Sequence, residues 1–353
     1  MKMSPEYMAD LHMFLISHDS DIETLRQRVG EHLKYIPRKK LYRYHKCNER
    51  EINTLRHNSI WLSSPSHFPD MFDATIPMQD EFIIDFWYSM FFTFEIAYSA
   101  AKKVVGDEPF PEKEVFFKEI MEIMNSYSPE EITERARAQL GNELYESVHR
   151  HEIPEDVIQP KIDVAKGFLK NLSTSPRRTL AITSFSAKKD NRNMWENYAG
   201  NYSGFCVEYD FSKAPSEGYI KYTWDVLHLL PITYFGKRPV FDPTALLREM
   251  VQAELKQSDI SFGDDFLEQY FRAITAKGYD YRAENEWRMI MSDSYAGEYS
   301  FPYISKLIVG KDMSKENEII MDEVAAELSV PMLKQTLSEN ENTFIYVPYR
   351  PDI

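Results

Sequence analysis

The residues best suited to chemistry in this 353-residue chain are two acids, Glu284 and Glu286, with apolar and aromatic neighbours. The pattern from 281 to 291 predicts a strand, on which side chains two positions apart share one face. Two carboxylates on one face repel each other and raise each other's pKa, so the pair is typical of a site where a cationic group binds between them. Alternatively, the acids lie on a solvated face and pair with Arg282 or Arg288.

Two further predicted strands carry polar residues that suit the same kind of site. Arg43 lies on a strand at 41–44, and Ser184 and Ser186 lie on a strand at 178–186. A planar guanidinium donates paired hydrogen bonds and therefore suits a pyrophosphate. Serine hydroxyls can brace a carboxylate, and a carboxylate beside a ribose can stabilise the positive charge that develops as a glycosidic bond loosens. Taken singly, the arginine can form a salt bridge and the serines can end a strand.

Other candidate residues have ordinary alternatives. Trp195 and Tyr198 lie three positions apart on a short predicted helix, where they can pack into the core or stack on a nicotinamide or adenine ring. Asp70 and Asp73 lie on a loop after a predicted strand, where they can reach a site or brace the turn. The histidines at 149–151 lack a second ligand pair at zinc spacing, so no metal site is predicted there.

Composition favours a large folded protein of the cytoplasm. Hydrophobic residues make up 43% of the chain, and its formal net charge of −15 argues against a general nucleic-acid binder, which needs clustered Lys and Arg. The N-terminus lacks a signal-peptide pattern, and charges interrupt the most apolar run, 82–98, so no membrane contact is expected. The two cysteines form no disulfide framework and fit a reducing compartment.

The order of the predicted elements indicates an α+β fold, because strands come first, then a block of helices, then strands again. We expect an N-terminal helical segment at 1–37 and an α+β domain at 38–353, with a helical insertion at about 80–172. The remaining predicted strands are 59–63, 204–210, 227–235, 303–310 and 343–347, and the predicted helices include 48–56, 194–199, two within 243–276, and 315–328.

Several short strings resemble a bacterial and phage family known only as domain of unknown function 2971. The similarity covers about residues 40 to 310, and the label of that family implies no activity. The strings are Leu41-Tyr42-Arg43-Tyr44, Ile60-Trp61-Leu62-Ser63 with Phe72-Asp73, Met194-Trp195-Glu196-Asn197-Tyr198 followed by Gly204, and Glu284-Asn285-Glu286-Trp287-Arg288.

A second resemblance does imply an activity. An arginine on the first strand, a Ser-x-Ser strand and a Glu-x-Glu strand, in that order, are similar to the marks of ADP-ribosyltransferases. The resemblance implies a split mixed or antiparallel sheet, with NAD as the substrate. The chain departs from the family pattern at Phe185, where threonine is usual, and in its large helical insertion.

The same resemblance implies a role for each marked residue. Glu286 would hold the nicotinamide ribose, and Glu284 would orient the accepting group. Arg43 would contact the phosphates or ribose of the dinucleotide, and Ser184 or Ser186 would support the glutamate. Trp195 and Tyr198 are further candidates for cofactor binding.

The leading hypothesis is an NAD-dependent ADP-ribosyltransferase or NAD glycohydrolase, such as a toxin or an anti-phage defence effector. The acceptor would be a protein, a nucleic acid or water, and the negative charge makes a long nucleic acid the poorer candidate. One alternative is a nucleotide-sensing or protein-binding module without chemistry, whose working surface would be the helical block at 80–172. Another is a metal-dependent hydrolase built on the two loop aspartates and the two glutamates.

Overall fold

The fold is described from a computed structural model. It describes residues 21–84, 155–216, 222–256, 264–338 and 343–349, with isolated residues between 3 and 15 and between 86 and 115. Most of the helical insertion expected at about 80–172, and the histidines at 149–151, lie outside the described residues. Within the described part of the chain, no helix has the length and apolar character needed to cross a membrane.

The chain divides into two compact units. The first comprises Met1–Thr75, Thr174–Pro239 and Tyr270–Ile353, and the second comprises Ile76–Ser173 and Val240–Gln269. The N-terminal helix packs into the first unit, since Leu25 and Val29 belong to its hydrophobic core. The helical insertion expected at 80–172 falls within the second unit, which also includes a later segment.

The helices and strands are numbered along the chain. They are α1 (Ile22–His32), β1 (Lys40–His45), α2 (Glu49–Arg56), β2 (Ser59–Leu62), α3 (Glu155–Thr174), α4 (Pro176–Thr179), β3 (Leu180–Ser186), α5 (Arg192–Asn197), β4 (Phe205–Asp210), α6 (Thr223–Leu227), β5 (Leu229–Pro231), β6 (Thr233–Phe235), α7 (Thr244–Lys256), α8 (Asp264–Ile274), β7 (Ala276–Gly278), β8 (Glu286–Ser292), β9 (Gly297–Ser300), β10 (Ile304–Val309), α9 (Lys315–Glu327), β11 (Met332–Ser338) and β12 (Thr343–Pro348).

The first unit is built on an eight-stranded sheet in the order β12-β11-β10-β4-β1-β3-β8-β5. Strands β10 and β11 pair in parallel, and the other neighbours pair antiparallel, so the sheet is mixed. A combination of helices with a mixed sheet is therefore confirmed. The sequence pattern missed β7, β9 and β11, and it joined β5 and β6 into one strand.

Apolar residues cover both faces of the sheet at its centre. Along β4, Phe205, Val207 and Tyr209 pack into the main core, whereas Cys206 packs into a second, smaller cluster on the other face. This alternation follows from the two-residue period of a strand. The second cluster also contains Trp195, which is fully buried.

The sheet opens between β1 and β3. These strands pair at one position, Tyr42 with Ser186, although both continue beyond it. Further along β3, Ile182 instead forms a bridge with Ser63, the residue after β2. A gap is therefore built into the middle of the sheet, between two strands that carry predicted site residues.

Candidate active site

A cavity of about 300 Å³ lies at the gap between β1 and β3. This volume is at the lower end of the range for small-molecule sites, roughly 300–1,000 Å³. The lining includes Arg43 and Tyr44 of β1, Ser184 and Phe185 of β3, Glu286 and Arg288 of β8, and Phe68, Asp73, Tyr198, Lys277, Tyr281 and Glu284.

The strand register explains how several of these side chains come together. Ser186 lies opposite both Tyr42 and Glu286, and Ser184 lies opposite Arg288. Residues directly opposite each other in a sheet share a face. The two serines, Glu286 and Arg288 therefore lie on one face, as the spacing of the sequence motifs requires.

Glu284 reaches the site by a different route from the one the sequence predicts. Strand β8 begins at Glu286, and residues Tyr279–Glu284 form a 3₁₀-helix, so the strand expected from 281 onward is wrong at its start. Between the two acids, Asn285 has a left-handed backbone conformation, with φ 49° and ψ 49°. Asparagine tolerates this conformation better than most residues. The two acids are therefore neighbours because of this left-handed turn, and not because side chains alternate along a strand.

The ammonium group of Lys277, on β7, lies between the two acids. Its Nζ donates to Glu284 Oε2 at 2.6 Å and to Glu286 Oε2 at 2.8 Å. The same nitrogen lies 4.7 Å from the ring centroid of Tyr281, a cation–π contact. Its side chain is 9% exposed. Burial lowers the pKa of Lys277, but the negative charges of Glu286 and Glu284 together outweigh burial and the net effect is a raised pKa.

Glu286 is buried and held by three side-chain donors. Its Oε1 accepts from Ser184 Oγ at 2.6 Å and from Arg288 Nε at 2.6 Å, while Lys277 contacts Oε2. Burial raises the pKa of this carboxyl group, but the charges of Arg288 and Lys277 outweigh it and lower the pKa to about 2. Its backbone N–H donates to the hydroxyl of Tyr234 at 2.8 Å. Glu286 is therefore a fixed, ionised carboxylate.

Arg288 links Glu286 to Asp73. Its Nη1 and Nη2 donate to the two oxygens of Asp73 at 2.6 and 2.7 Å, a bidentate pair. Arg177 holds the loop that carries this aspartate, donating to the backbone oxygens of Asp70 and Asp73 at 2.8 Å. Asp73 thus lines the cavity, a role that the sequence pattern left open beside that of a turn residue.

Asp73, Arg288, Glu286, Lys277 and Glu284 form one continuous chain of salt bridges, which we call the ion row. Its charges alternate in sign along the cavity wall and leave it one negative charge in excess. The acids are thus paired with cations inside the protein. The solvated face expected by the alternative interpretation is wrong, because Glu284 and Glu286 are 7% and 5% exposed. The predicted partner Arg288 is among these cations, whereas Arg282 instead stacks on Tyr279 at 4.2 Å.

The backbone around Glu284 is fixed by two polar side chains behind the cavity. Ser186 Oγ donates to the Glu284 carbonyl at 2.7 Å, and Asn191 Nδ2 donates to the Ala283 carbonyl at 2.6 Å. Ser186 is fully buried and is absent from the lining. It therefore supports Glu284, whereas Ser184 supports Glu286.

The two aromatic candidates have different positions. Tyr198 lines the cavity, is 44% exposed, and donates from its hydroxyl to Glu284 Oε1 at 2.9 Å. Trp195 is fully buried, donates from Nε1 to the Lys189 carbonyl at 3.0 Å, and packs edge-on against Tyr44. The expected stacking role therefore does not suit Trp195, because its ring is enclosed in the core.

Arg43 lines the cavity from the other side of the gap. It is half-buried, and its Nη2 donates to the Trp61 carbonyl at 3.4 Å. Because its neighbour Tyr42 shares a face with Ser186, strand alternation directs Arg43 to the opposite face from Glu286. The gap lets it reach the same cavity. In the described part of the chain, Arg43 forms no salt bridge, although its charge interacts with Glu51 and its side chain with Tyr209.

Among the described residues, no three His, Cys, Asp or Glu side chains are grouped so that they could hold a metal ion. Comparison of the chain with family models, curated proteins and solved structures finds no match. The chemistry of the site therefore has to be inferred from its geometry.

Proposed function

We propose that the protein cleaves the nicotinamide–ribose bond of NAD, as an ADP-ribosyltransferase or an NAD glycohydrolase. One observation carries the proposal. Three neighbouring strands, β1, β3 and β8, bring Arg43, Ser184 and Glu286 to one cavity, and Ser184 contacts Glu286 at 2.6 Å. The resemblance to ADP-ribosyltransferases implies such a contact with the glutamate, from Ser184 or Ser186.

In the proposed reaction, the bond from ribose C1′ to the nicotinamide nitrogen breaks. Its electron pair stays with the nitrogen, so nicotinamide leaves as a neutral molecule and positive charge develops on the ribose. The fixed carboxylate of Glu286 stabilises that charge and accepts a hydrogen bond from a ribose hydroxyl. Because the carboxylate is already ionised and held by Ser184, little reorganisation accompanies the step.

Water or an acceptor hydroxyl then attacks C1′ and gives up its proton. Glu284 is placed to accept that proton, because it lines the cavity and each of its oxygens accepts a single side-chain hydrogen bond, one from Lys277 and one from Tyr198. Arg43 binds the phosphates of the dinucleotide with its guanidinium group. A dinucleotide is larger than the cavity, so the adenosine end extends outward past Arg43.

The finer description of the fold is part of the same proposal. The gap between β1 and β3 supports an ADP-ribosyltransferase-like split sheet, and the matching strings support membership of the family known as domain of unknown function 2971. A toxin or anti-phage role in the cytoplasm would fit such an activity.

A sensor that binds the nucleotide without cleaving it is the second candidate. The observation in its favour is that Glu286 already accepts three hydrogen bonds from protein side chains. A carboxylate has about four acceptor positions, so one remains for a ligand hydroxyl. Binding remains feasible in either case, and the two candidates differ in whether the bond breaks.

Incubation of the pure protein with NAD tests the proposal. We expect free nicotinamide to accumulate, measured by chromatography, and the adenine-labelled product to be ADP-ribose or a modified acceptor. Binding of NAD without nicotinamide release would favour the sensor. If the protein releases no nicotinamide but hydrolyses another substrate, and a chelator abolishes that hydrolysis, a metal-dependent hydrolase would be favoured instead.

A further inference from the structure

Lys277 belongs to no motif that suggests chemistry, yet its ammonium group lies at the centre of the site. It is part of a three-residue strand, β7, which pairs with β6 outside the main sheet. Its Nζ donates hydrogen bonds to Glu284 at 2.6 Å and to Glu286 at 2.8 Å. The ring of Tyr281 covers the same nitrogen.

Without a cation between them, two carboxylates this close would share a proton. Like charges in a buried site disfavour each other, and such pairs take up one proton at a pH well above the pKa of a single carboxyl group. Arg288 contacts Glu286 and Asp73 but makes no hydrogen bond to Glu284. Lys277 is therefore the cation that Glu284 and Glu286 have in common.

We propose that Lys277 is a positioning residue, whose ammonium group holds Glu284 and Glu286 as two separate carboxylates so that each can perform its own step. In the reaction, Glu286 faces the developing charge and Glu284 faces the attacking group. A shared proton would remove one of these functions. The catalytic part of this inference rests on the proposed function, whereas the ionisation of the pair does not.

Among the described residues, acids and phenols face the ammonium together with one guanidinium, that of Arg288, whose like charge opposes the ammonium but does not prevent the net rise in the pKa of Lys277. From β8, Glu286 and Arg288 face it, and from the 3₁₀-helix Glu284 and Tyr281 do. The hydroxyl of Tyr198 reaches the far oxygen of Glu284. The hydroxyl of Tyr234, on β6, accepts a hydrogen bond from the backbone N–H of Glu286. Burial raises the pKa of Tyr234 to about 12, so this hydroxyl stays neutral.

Carboxyl NMR titration of the wild-type protein tests the inference without requiring activity. We expect Glu286 to take up no proton between pH 8 and about pH 5, because its carboxylate is paired with Lys277 and Arg288. If Glu286 is protonated at neutral pH in the wild-type protein, the inference is wrong. This measurement stands even if the variants below fail to fold.

The variants Lys277→Met and Lys277→Arg add a functional readout. Loss of the cation should move the acidic limb of the pH–rate profile for nicotinamide release upward by about 1–3 pH units, and arginine should restore it. A Lys277→Met protein with reduced activity but an unmoved limb would reduce Lys277 to a structural role. If the wild-type protein releases no nicotinamide, the proposed function fails, and the NMR titration alone decides the ionisation of the pair.

Discussion

Replacement of Glu286 by glutamine is expected to lower the rate of nicotinamide release by about 100- to 1,000-fold, the usual effect of removing a preorganised electrostatic group. The amide keeps the shape of the side chain but not its negative charge, so it cannot stabilise a developing positive charge. Initial rates at saturating NAD measure the loss. The effect should fall on kcat, because the missing interaction is made mainly in the transition state.

The control is a second buried glutamate on the same sheet. Glu208 of β4 is 5% exposed and accepts from Lys40 at 2.8 Å, but it does not line the cavity. Glu208→Gln should lose about as much stability as Glu286→Gln. Its folded molecules should still release nicotinamide at the wild-type rate. Equal rates for Glu286→Gln and the wild-type protein would remove Glu286 from the mechanism.

Glu286→Gln should also lose some stability, which the motif pattern alone gives no reason to expect. The change weakens two contacts with cations, although Lys277 keeps Glu284 and Arg288 keeps Asp73 as partners. We expect a cost of about 1–3 kcal/mol, typical of hydrogen bonds to charged groups. Rates must therefore be compared at temperatures where both proteins are folded.

Replacement of Arg288 by methionine should have the largest effect on stability. The guanidinium is 1% exposed and contacts Glu286 and Asp73, so its removal leaves two buried carboxylates with one cation fewer. Breaking a buried ion pair from one side typically costs about 3–5 kcal/mol. Urea unfolding measures this loss as a shift of the unfolding midpoint, with the dependence of the unfolding free energy on urea concentration unchanged.

Arg282→Met is the matched control, since Arg282 is exposed, lies six positions away and stacks on Tyr279. An exposed contact of this kind contributes about 0.5–1 kcal/mol. Similar midpoints for the two variants would contradict a stabilising role for the ion row. A smaller loss for Arg288→Met than for Arg282→Met would do so even more clearly.

The part of the site that depends on local strand patterns could be predicted from the sequence. Residues two apart on one strand share a face, so the sequence places Ser184 with Ser186 on β3, whereas the support of Glu286 by one of these serines was implied by the resemblance to ADP-ribosyltransferases. The same period assigns Trp287 and Met289 to the opposite, apolar face. A two-residue repeat is short enough to be visible in a single sequence.

Other parts depend on contacts between distant segments, and the sequence pattern does not reveal these. The Asp73–Arg288 pair joins residues 215 positions apart. Lys277 stands between alanine and glycine in a three-residue strand, with no periodic pattern around it. Glu284 was expected on a strand because a left-handed turn at one asparagine leaves no mark that distinguishes it from an extended residue. Trp195 could equally be core or site until its burial was known.

The central claim is that the cavity between β1 and β3 binds the nicotinamide riboside end of NAD against Glu286. A crystal structure of the Glu286→Gln variant soaked with NAD tests it most directly, because the bound molecule should stay intact. We predict a ribose hydroxyl within hydrogen-bond distance of residue 286 and a phosphate against Arg43. NAD bound elsewhere on the protein, or an empty cavity at millimolar NAD, would contradict the account.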